Sequence, residues 1–318
     1  MSENLNNVAK NNSALKVMKE KDMKTVTATA KVMKVLGFIA VYAFLFIMAI
    51  VVLFPFYWML ISSVKSVTEY NLPTPTLWPE VIHWENYGLA LKAANLENVF
   101  VNTIYVGLVS TVLSLVITVL SAFAFARLEF KGKDAMFAAL LGTMMIPGEL
   151  FTITNYTTVT RLGWVNMDKF GFTVLIVPFL VSVFYIYLLR QNFLQIPNEL
   201  YLAAKVDGVS DLKYLWKVMI PLALPTLISI TILKMMGSWN TYVWPNLVVT
   251  GKYRVDGKYL LVTNGIRGGD YSVGGDINMV NYPVQMAAVA MVSLPLFMVY
   301  LFLRKYIMKG VSRSGIKG

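Results

Sequence analysis

Apolar positions gather into six long blocks separated by short polar stretches. The first runs from Val35 to Ile61 as "VLGFIAVYAFLFIMAIVVLFPFYWMLI". The others cover about Val99–Phe125, Ala135–Val159, Phe172–Leu189, Val218–Val249 and Val284–Ile307. A bilayer core is crossed by about 20 mostly apolar helical residues. The pattern therefore predicts an all-α integral membrane protein with six transmembrane helices. The third block is interrupted by Pro147, Gly148 and Glu149. The fifth carries Pro221, Pro225, Lys234, Asn240 and Pro245. Helix breakers at membrane depth are tolerated where protein or a water-filled cavity re-satisfies the backbone. These two blocks are expected to face protein or a cavity rather than lipid.

Composition agrees with the pattern. Of 318 residues, 57% are hydrophobic and 14% charged, against about 45–50% and 25% in soluble domains. The chain has no cysteine, which removes disulfides, thiolate zinc sites and cysteine nucleophiles. His83, in "PEVIHWENY", is the one histidine and has no companion ligands in sequence, so a surface histidine is expected and no metal site.

The net charge of +11 acquires meaning from its distribution. One side of the six blocks collects 19 lysines and arginines, in the N-terminal segment, around 126–134, around 190–217 and at the C-terminus; the other collects 8. Cytoplasmic loops carry such an excess. Both termini are expected inside, and the charge reads as topology, with no nucleic-acid partner. Residues 1–33 lack the early apolar run of a cleavable signal and are expected to form a disordered or loosely helical cytoplasmic tail.

The stretch "IPNELYLAAKVDGVSDLKYLWKVMIPLALP", Ile196–Pro225, falls on the cytoplasmic side. Asn198 suits an N-cap for a helix from Glu199, with Leu200, Ala203 and Ala204 on one face and Tyr201 and Lys205 on another. Gly208 suits the left-handed residue ending that helix. Ser210 can cap a second helix with an apolar stripe of Leu212, Leu215, Trp216 and Met219. Two readings stand: an amphipathic connector, or a docking element for a cytoplasmic partner.

Chemistry is sparse. The terminal "GVSRSGIKG" approaches a phosphate-binding loop, but Ile316 separates Gly315 from Lys317 and no Ser or Thr follows. Any ATPase must be another chain, and no catalytic residue is expected here. Glu149 and Lys234 are the intramembrane ionisable groups; each suits a structural or a functional role. The segment "RGGDYSVGGDINM" reads as a turn-rich loop rather than calcium repeats. Trp239, Tyr242 and Trp244 suit either sugar stacking or anchoring at a membrane interface.

The loop "LAAKVDG" followed by "VMIPLALP" resembles the EAA loop of membrane subunits of ABC importers, and "MMIPGE", "LLRQNFLQIPNELYLAAKVDG", "MGSWNTYVWP" and "GVSRSGIKG" follow in the order and spacing of the second permease subunit of maltose-type carbohydrate importers. The resemblance runs from about Leu53 to the C-terminus. It implies a type I ABC importer permease fold. It divides the chain into a tail (1–33), a first transmembrane helix (34–62), an extracytoplasmic loop (63–98), a permease core (99–308) with a coupling loop (192–217), and a cytoplasmic C-terminal tail (309–318).

It further implies a coupling helix, with Glu199, Leu202, Ala203, Ala204, Asp207 and Gly208 docking in a cleft of an ATPase subunit. Leu202 stands where the family has glutamate; either the leucine packs in its place or the partner permease makes the stronger contact. Implied partners are a second homologous permease, an ATPase dimer carrying ATP and Mg, an extracytoplasmic solute-binding protein and membrane lipid, with no cofactor on this chain. Implied cargo is a carbohydrate, an oligosaccharide in the first instance, with Lys234, Trp239, Asn240 and Tyr242 as pathway residues. Glycerol phosphate is the alternative cargo. An ion-coupled carrier and a membrane scaffold or sensor are the rival classes. The bacterial cell membrane is the implied location. The segment from about 250 to 282 looks longer than usual for the family.

Overall fold

The computed structural model describes residues 2–165 and 168–312; side chains are described from Met33 onward, except at 166–167, 252, 255, 276–278, 303 and 305–318. The chain forms two compact units, residues 1–59 and 60–318. The first is a single helix, the greater part of Ser2–Ser63. The expected loose tail is helical and runs unbroken into the apolar block. No Gly or Pro occurs before Gly37, and the segment is rich in Lys, Ala and Met, all good helix formers. Residues 33–57 are all exposed.

The second unit is organised around the 32-residue helix Leu96–Arg127. Its buried positions include Gly107, Ser110, Thr111, Ser114, Thr118 and Ala122. Small residues let helices approach closely at membrane depth; a Cβ on Gly107 would lie 3.3 Å from the Met235 sulfur. Helices Val183–Leu194 and Leu224–Asn240 pack against it, and Tyr282–Ser312 packs on Leu224–Asn240 and on Glu85–Ala93.

Among the described residues three helices are long and apolar enough to cross a membrane: Met33–Ser63, Leu96–Arg127 and Tyr282–Phe302. Three bent pairs bring the number to as many as six by length and composition. Lys133–Thr143 and Gly148–Arg161 meet at 95° at the "IPGE" break. Pro147 holds an extended ψ of 134° there and cannot continue the first helix. The block expected to face protein is open on this chain, and Val159 is the buried residue of Gly148–Arg161.

The other two pairs revise the expected continuous spans. Asp168–Phe179 and Val183–Leu194 meet at 50° just after Pro178, and Ser182 caps the second half by accepting from Tyr185 N–H. Asp211–Leu222 and Leu224–Asn240 meet at 80° around Ala223, between Pro221 and Pro225, which remove two backbone donors. A π-helical turn, Leu215–Met219, precedes that bend. Val243–Val248 is a separate short helix, so the fifth block does not run straight to Val249.

The connections are ordered. In 63–98, Asn86 Nδ2 donates to the carbonyls of Ser63 (3.0 Å) and Lys65 (2.8 Å). The buried Lys65 ammonium donates to Thr76 O. His83 Nδ1 lies 2.6 Å from Glu85 Oε1. In 250–282, Asn102 Nδ2 reaches Lys258 O and Leu260 O at 3.0 Å each, and Thr103 Oγ1 accepts from Val262 N–H at 2.9 Å. The same region adds a hairpin to the expected all-helical fold. Its strands are Ser272–Val273 and Asp276–Val280, turned by Gly274 and Gly275 at φ +60° and +85°. Two positive φ angles are what a tight hairpin turn demands. Of the expected tail 309–318, helix continues to Ser312 and the rest, with most of "GVSRSGIKG", lies outside the described residues.

Candidate functional site

The loop after Leu194 begins at Pro197, whose ψ of 135° sets an extended entry to helix Asn198–Val206. Proline takes the cap position, so Asn198 is the first helical residue and makes no side-chain cap, one position later than its expected role. At the other end Gly208 has φ +72°. Its N–H donates to Lys205 O at 3.1 Å, and Val209 N–H to Ala204 O at 2.8 Å. These are the two bonds of a Schellman ending, which needs a left-handed residue at this position. Ser210 stands before the next helix, Asp211–Leu222, but accepts only through its backbone carbonyl, from Tyr214 N–H at 2.9 Å.

The faces differ from the expected pairing. Tyr201 and Ala204 pack inward on a core of Phe123, Leu189, Phe193, Tyr214, Leu215 and Met219. Glu199, Leu202, Ala203 and Val206, spaced three and four apart, form the exposed face, with Leu202 55% and Val206 88% exposed. Asp207 and Gly208 are exposed beside them. Leu212 and Trp216 also face out, while Leu215 and Met219 are buried, so the expected four-residue stripe splits into two faces. The buried Tyr214 packs beside Tyr201, with ring centroids 5.1 Å apart and the rings tilted at 57°.

Two devices fix this loop. Asp211 Oδ1 takes the Lys205 ammonium at 2.7 Å and the Tyr201 hydroxyl at 2.8 Å. The Lys205 bond, then that of Tyr201, holds the Asp211 carboxyl below the usual range; the bond to Asp211 raises the Lys205 ammonium. Burial, then Asp211, pushes the Tyr201 phenol up. Deeper, the buried Arg127 donates through Nη2 to Phe193 O at 2.9 Å and to Ile196 O. Arg190 answers with Nε on Phe125 O at 3.0 Å and its guanidinium 4.0 Å from the Phe137 ring centre. By sequence both arginines read as loop charges; they are helix residues, Arg127 gripping the backbone where the loop begins and Arg190 the end of helix Leu96–Arg127.

A second feature lies among the helices. A cavity of about 370 Å³ is lined by Ser110, Ser182, Tyr185, Lys234, Ser238 and Thr241, with Trp244 and apolar neighbours. Lys234 Nζ donates to Phe179 O at 2.7 Å. Phe179 ends the half-helix before the 50° bend, where carbonyls lose their helical partners. Ser110 and Ser238 hydroxyls are 3.3 Å apart across the cavity wall.

Of the four expected pathway residues, Lys234 lines this cavity. Trp239 turns into the core against Phe100, 5.7 Å between ring centres. Asn240 is exposed at the helix end, and Tyr242 lies 4.5 Å under the Arg267 guanidinium. Trp244 donates Nε1–H to Val174 O at 2.9 Å. The three aromatics therefore form no single platform. The hydroxyl wall was missed by sequence reasoning. Its members are scattered, Ser110 on one helix, Ser182 and Tyr185 on a second and Ser238 and Thr241 around the end of a third, so no local spacing in the sequence marks it.

Against this geometry, the model of the family described as "Binding-protein-dependent transport system inner membrane component" matches residues 27–313. The chain belongs to this family. This transport-system membrane component is a multi-pass protein of the bacterial cell membrane. It is 27% identical over 286 residues to an arabinooligosaccharides transport system permease of Bacillus subtilis, covering 88% of this chain and 96% of that one. It is 27% identical to a diacetylchitobiose uptake system permease of Streptomyces coelicolor, covering 86% and 87%. A crystal structure of a bacterial ABC transporter involved in import of the acidic polysaccharide alginate contains a chain that superposes with a TM-score of 0.74, at 25% identity, over 84% of this permease and 95% of that chain.

Proposed function

We propose that this permease carries an oligosaccharide across the membrane as one of two homologous membrane subunits. A solute-binding protein delivers the sugar outside. ATP and Mg are bound and hydrolysed on a separate ATPase pair. The family supports a binding-protein-dependent role, and the named relatives that transport arabinooligosaccharides and diacetylchitobiose support an oligosaccharide cargo. Glycerol phosphate is less well supported, because those relatives carry sugars and one ammonium lines the cavity. The six-span count, with both termini in the cytoplasm, rests on the basic-residue excess and the three bent pairs.

The observation that carries coupling is the exposed face of Glu199, Leu202, Ala203 and Val206, closed by Gly208 and seated on the core by Arg127. An exposed apolar stripe on an otherwise anchored helix is the form of a docking helix. Its occupant in this reading is a cleft of the ATPase. ATP-driven movement of that cleft would then swing the attached helices and change which side the cavity opens to.

The test expresses the permease pair with the candidate ATPase and binding protein. Expected are recovery of the ATPase with purified permease and ATP-dependent uptake of radiolabelled arabinotriose into proteoliposomes. Uptake driven by a proton gradient without ATP would replace this reading with an ion-coupled carrier. For topology, a cysteine at Glu80 or Asp270 should react with an impermeant thiol reagent in intact cells, and one at Ser210 should not; all three positions are exposed.

A further inference from the structure

We infer that the cavity around Lys234 selects acidic saccharides, with the ammonium taking a sugar carboxylate of the uronic acid kind. The inference rests on the permease reading above and deepens it. Among the lining residues there is one cation and no carboxylate. An ammonium has three donors; Phe179 O takes one. The others find no protein acceptor among the described residues. A charge left without a counter-ion at membrane depth is costly and marks a function more often than a scaffold. Capping a helix-end carbonyl needs only a neutral donor, so the cap alone does not account for a lysine.

The rest of the wall suits the remainder of a sugar. Hydroxyls of Ser110, Ser182, Tyr185, Ser238 and Thr241 both donate and accept, as sugar hydroxyls do. The volume, about 370 Å³, is within the range of about 300–1,000 Å³ for small-molecule sites. A carboxylate is favoured over a phosphate on charge. A phosphate monoester carries about −1.5 to −2 at neutral pH, which a single ammonium leaves under-neutralised. One carboxylate and one ammonium balance.

The test uses the assembled permease–ATPase complex in nanodiscs, without the binding protein, so that selection is read at the membrane. Thermal unfolding is followed against galacturonate, the neutral galactose and galactose 1-phosphate. Galacturonate, with its single carboxylate, should stabilise the complex at concentrations at least about tenfold below galactose, the equivalent of about 1.4 kcal/mol. Lys234→Gln should erase that preference and Lys234→Arg should retain it. Equal responses to the acidic and neutral sugars, a preference that survives Lys234→Gln, or a strongest response to galactose 1-phosphate would each overturn the inference. If Lys234→Gln fails to assemble, the three-ligand comparison in the unaltered complex and in Lys234→Arg still decides. Failure of the ATPase to co-purify would sink the permease reading itself. Co-purification without acidic preference would sink only the cavity's selectivity.

Discussion

The loop at Ile196–Pro225 and the cavity around Lys234 are built by opposite means. The loop's shape comes from neighbours in sequence: Pro197 sets its entry, Gly208 its exit, and Lys205 meets Asp211 six residues on. The cavity joins residues more than a hundred positions apart, such as Ser110 and Ser238. One feature presents side chains outward on a short frame. The other closes them inward between helices that must first find each other. Local construction can be read, and altered, one residue at a time; the cavity responds to its whole surround.

The sharpest way to break this contrast is through Arg127, the loop's long-range tie. Arg127→Ala should cost about 2–3 kcal/mol, because two buried carbonyls lose their donor. The purified complex should melt earlier and recover less ATPase, whereas Arg127→Lys should restore part of both. Unchanged melting would show that the loop holds itself. Next in size is Gly208→Val. No atom lies within 4 Å of a Cβ added there, so the penalty comes from φ +72° alone, about 1–2 kcal/mol. Membrane amounts measured by immunoblot should stay near normal while ATPase recovery and uptake fall several-fold.

Leu202→Ala should be milder. Removing part of an exposed leucine that docks in a cleft costs about 1 kcal/mol, roughly a fivefold loss of ATPase recovery in a titrated pull-down. Normal recovery would remove Leu202 from the contact. The smallest effect belongs to the exposed Lys205–Asp211 bridge. Asp211 has a lowered pKa, so its contribution is complete above the ordinary carboxylate range and fades as pH falls through the lowered value. Lys205 has a raised pKa, so its share is complete below the usual lysine range and fades as pH rises through the raised value. Loop stability, read by limited proteolysis, should be flat near neutrality and weaken at both extremes. Asp211→Asn should flatten the acid side.

What sequence made legible follows the same division. Apolar blocks of bilayer length located the spanning regions, and Gly208 announced its positive φ because no other residue type is so easily left-handed. Asn198 misled because a good capping residue stood next to a proline that took the position first. The Leu212–Trp216 stripe misled because the π-helical turn at Leu215–Met219 shifts the faces that an ideal helix would align. Trp239, Tyr242 and Trp244 are close in sequence yet diverge, since the helix stops at Asn240 and a new one starts at Val243. The partners of Lys234 were illegible for a plainer reason: its acceptor is a main-chain oxygen, freed by a bend whose marker, Pro178, sits in an otherwise uniform apolar run.

Arg127 grips main-chain oxygens, and every amino acid, proline included, supplies that same oxygen. The two Arg127 bonds are thus blind to the side chains of the residues they hold. The outward positions Glu199, Leu202, Ala203 and Val206 are free to diverge without loosening the loop, whereas Tyr201, Ala204, Lys205 and Gly208 are held by the core, by Asp211 and by backbone shape. An outward face grafted there from a different transporter should settle on the same support, so that, if this face is the docking surface proposed above, the choice of motor could be exchanged while the body that carries the cargo is left untouched.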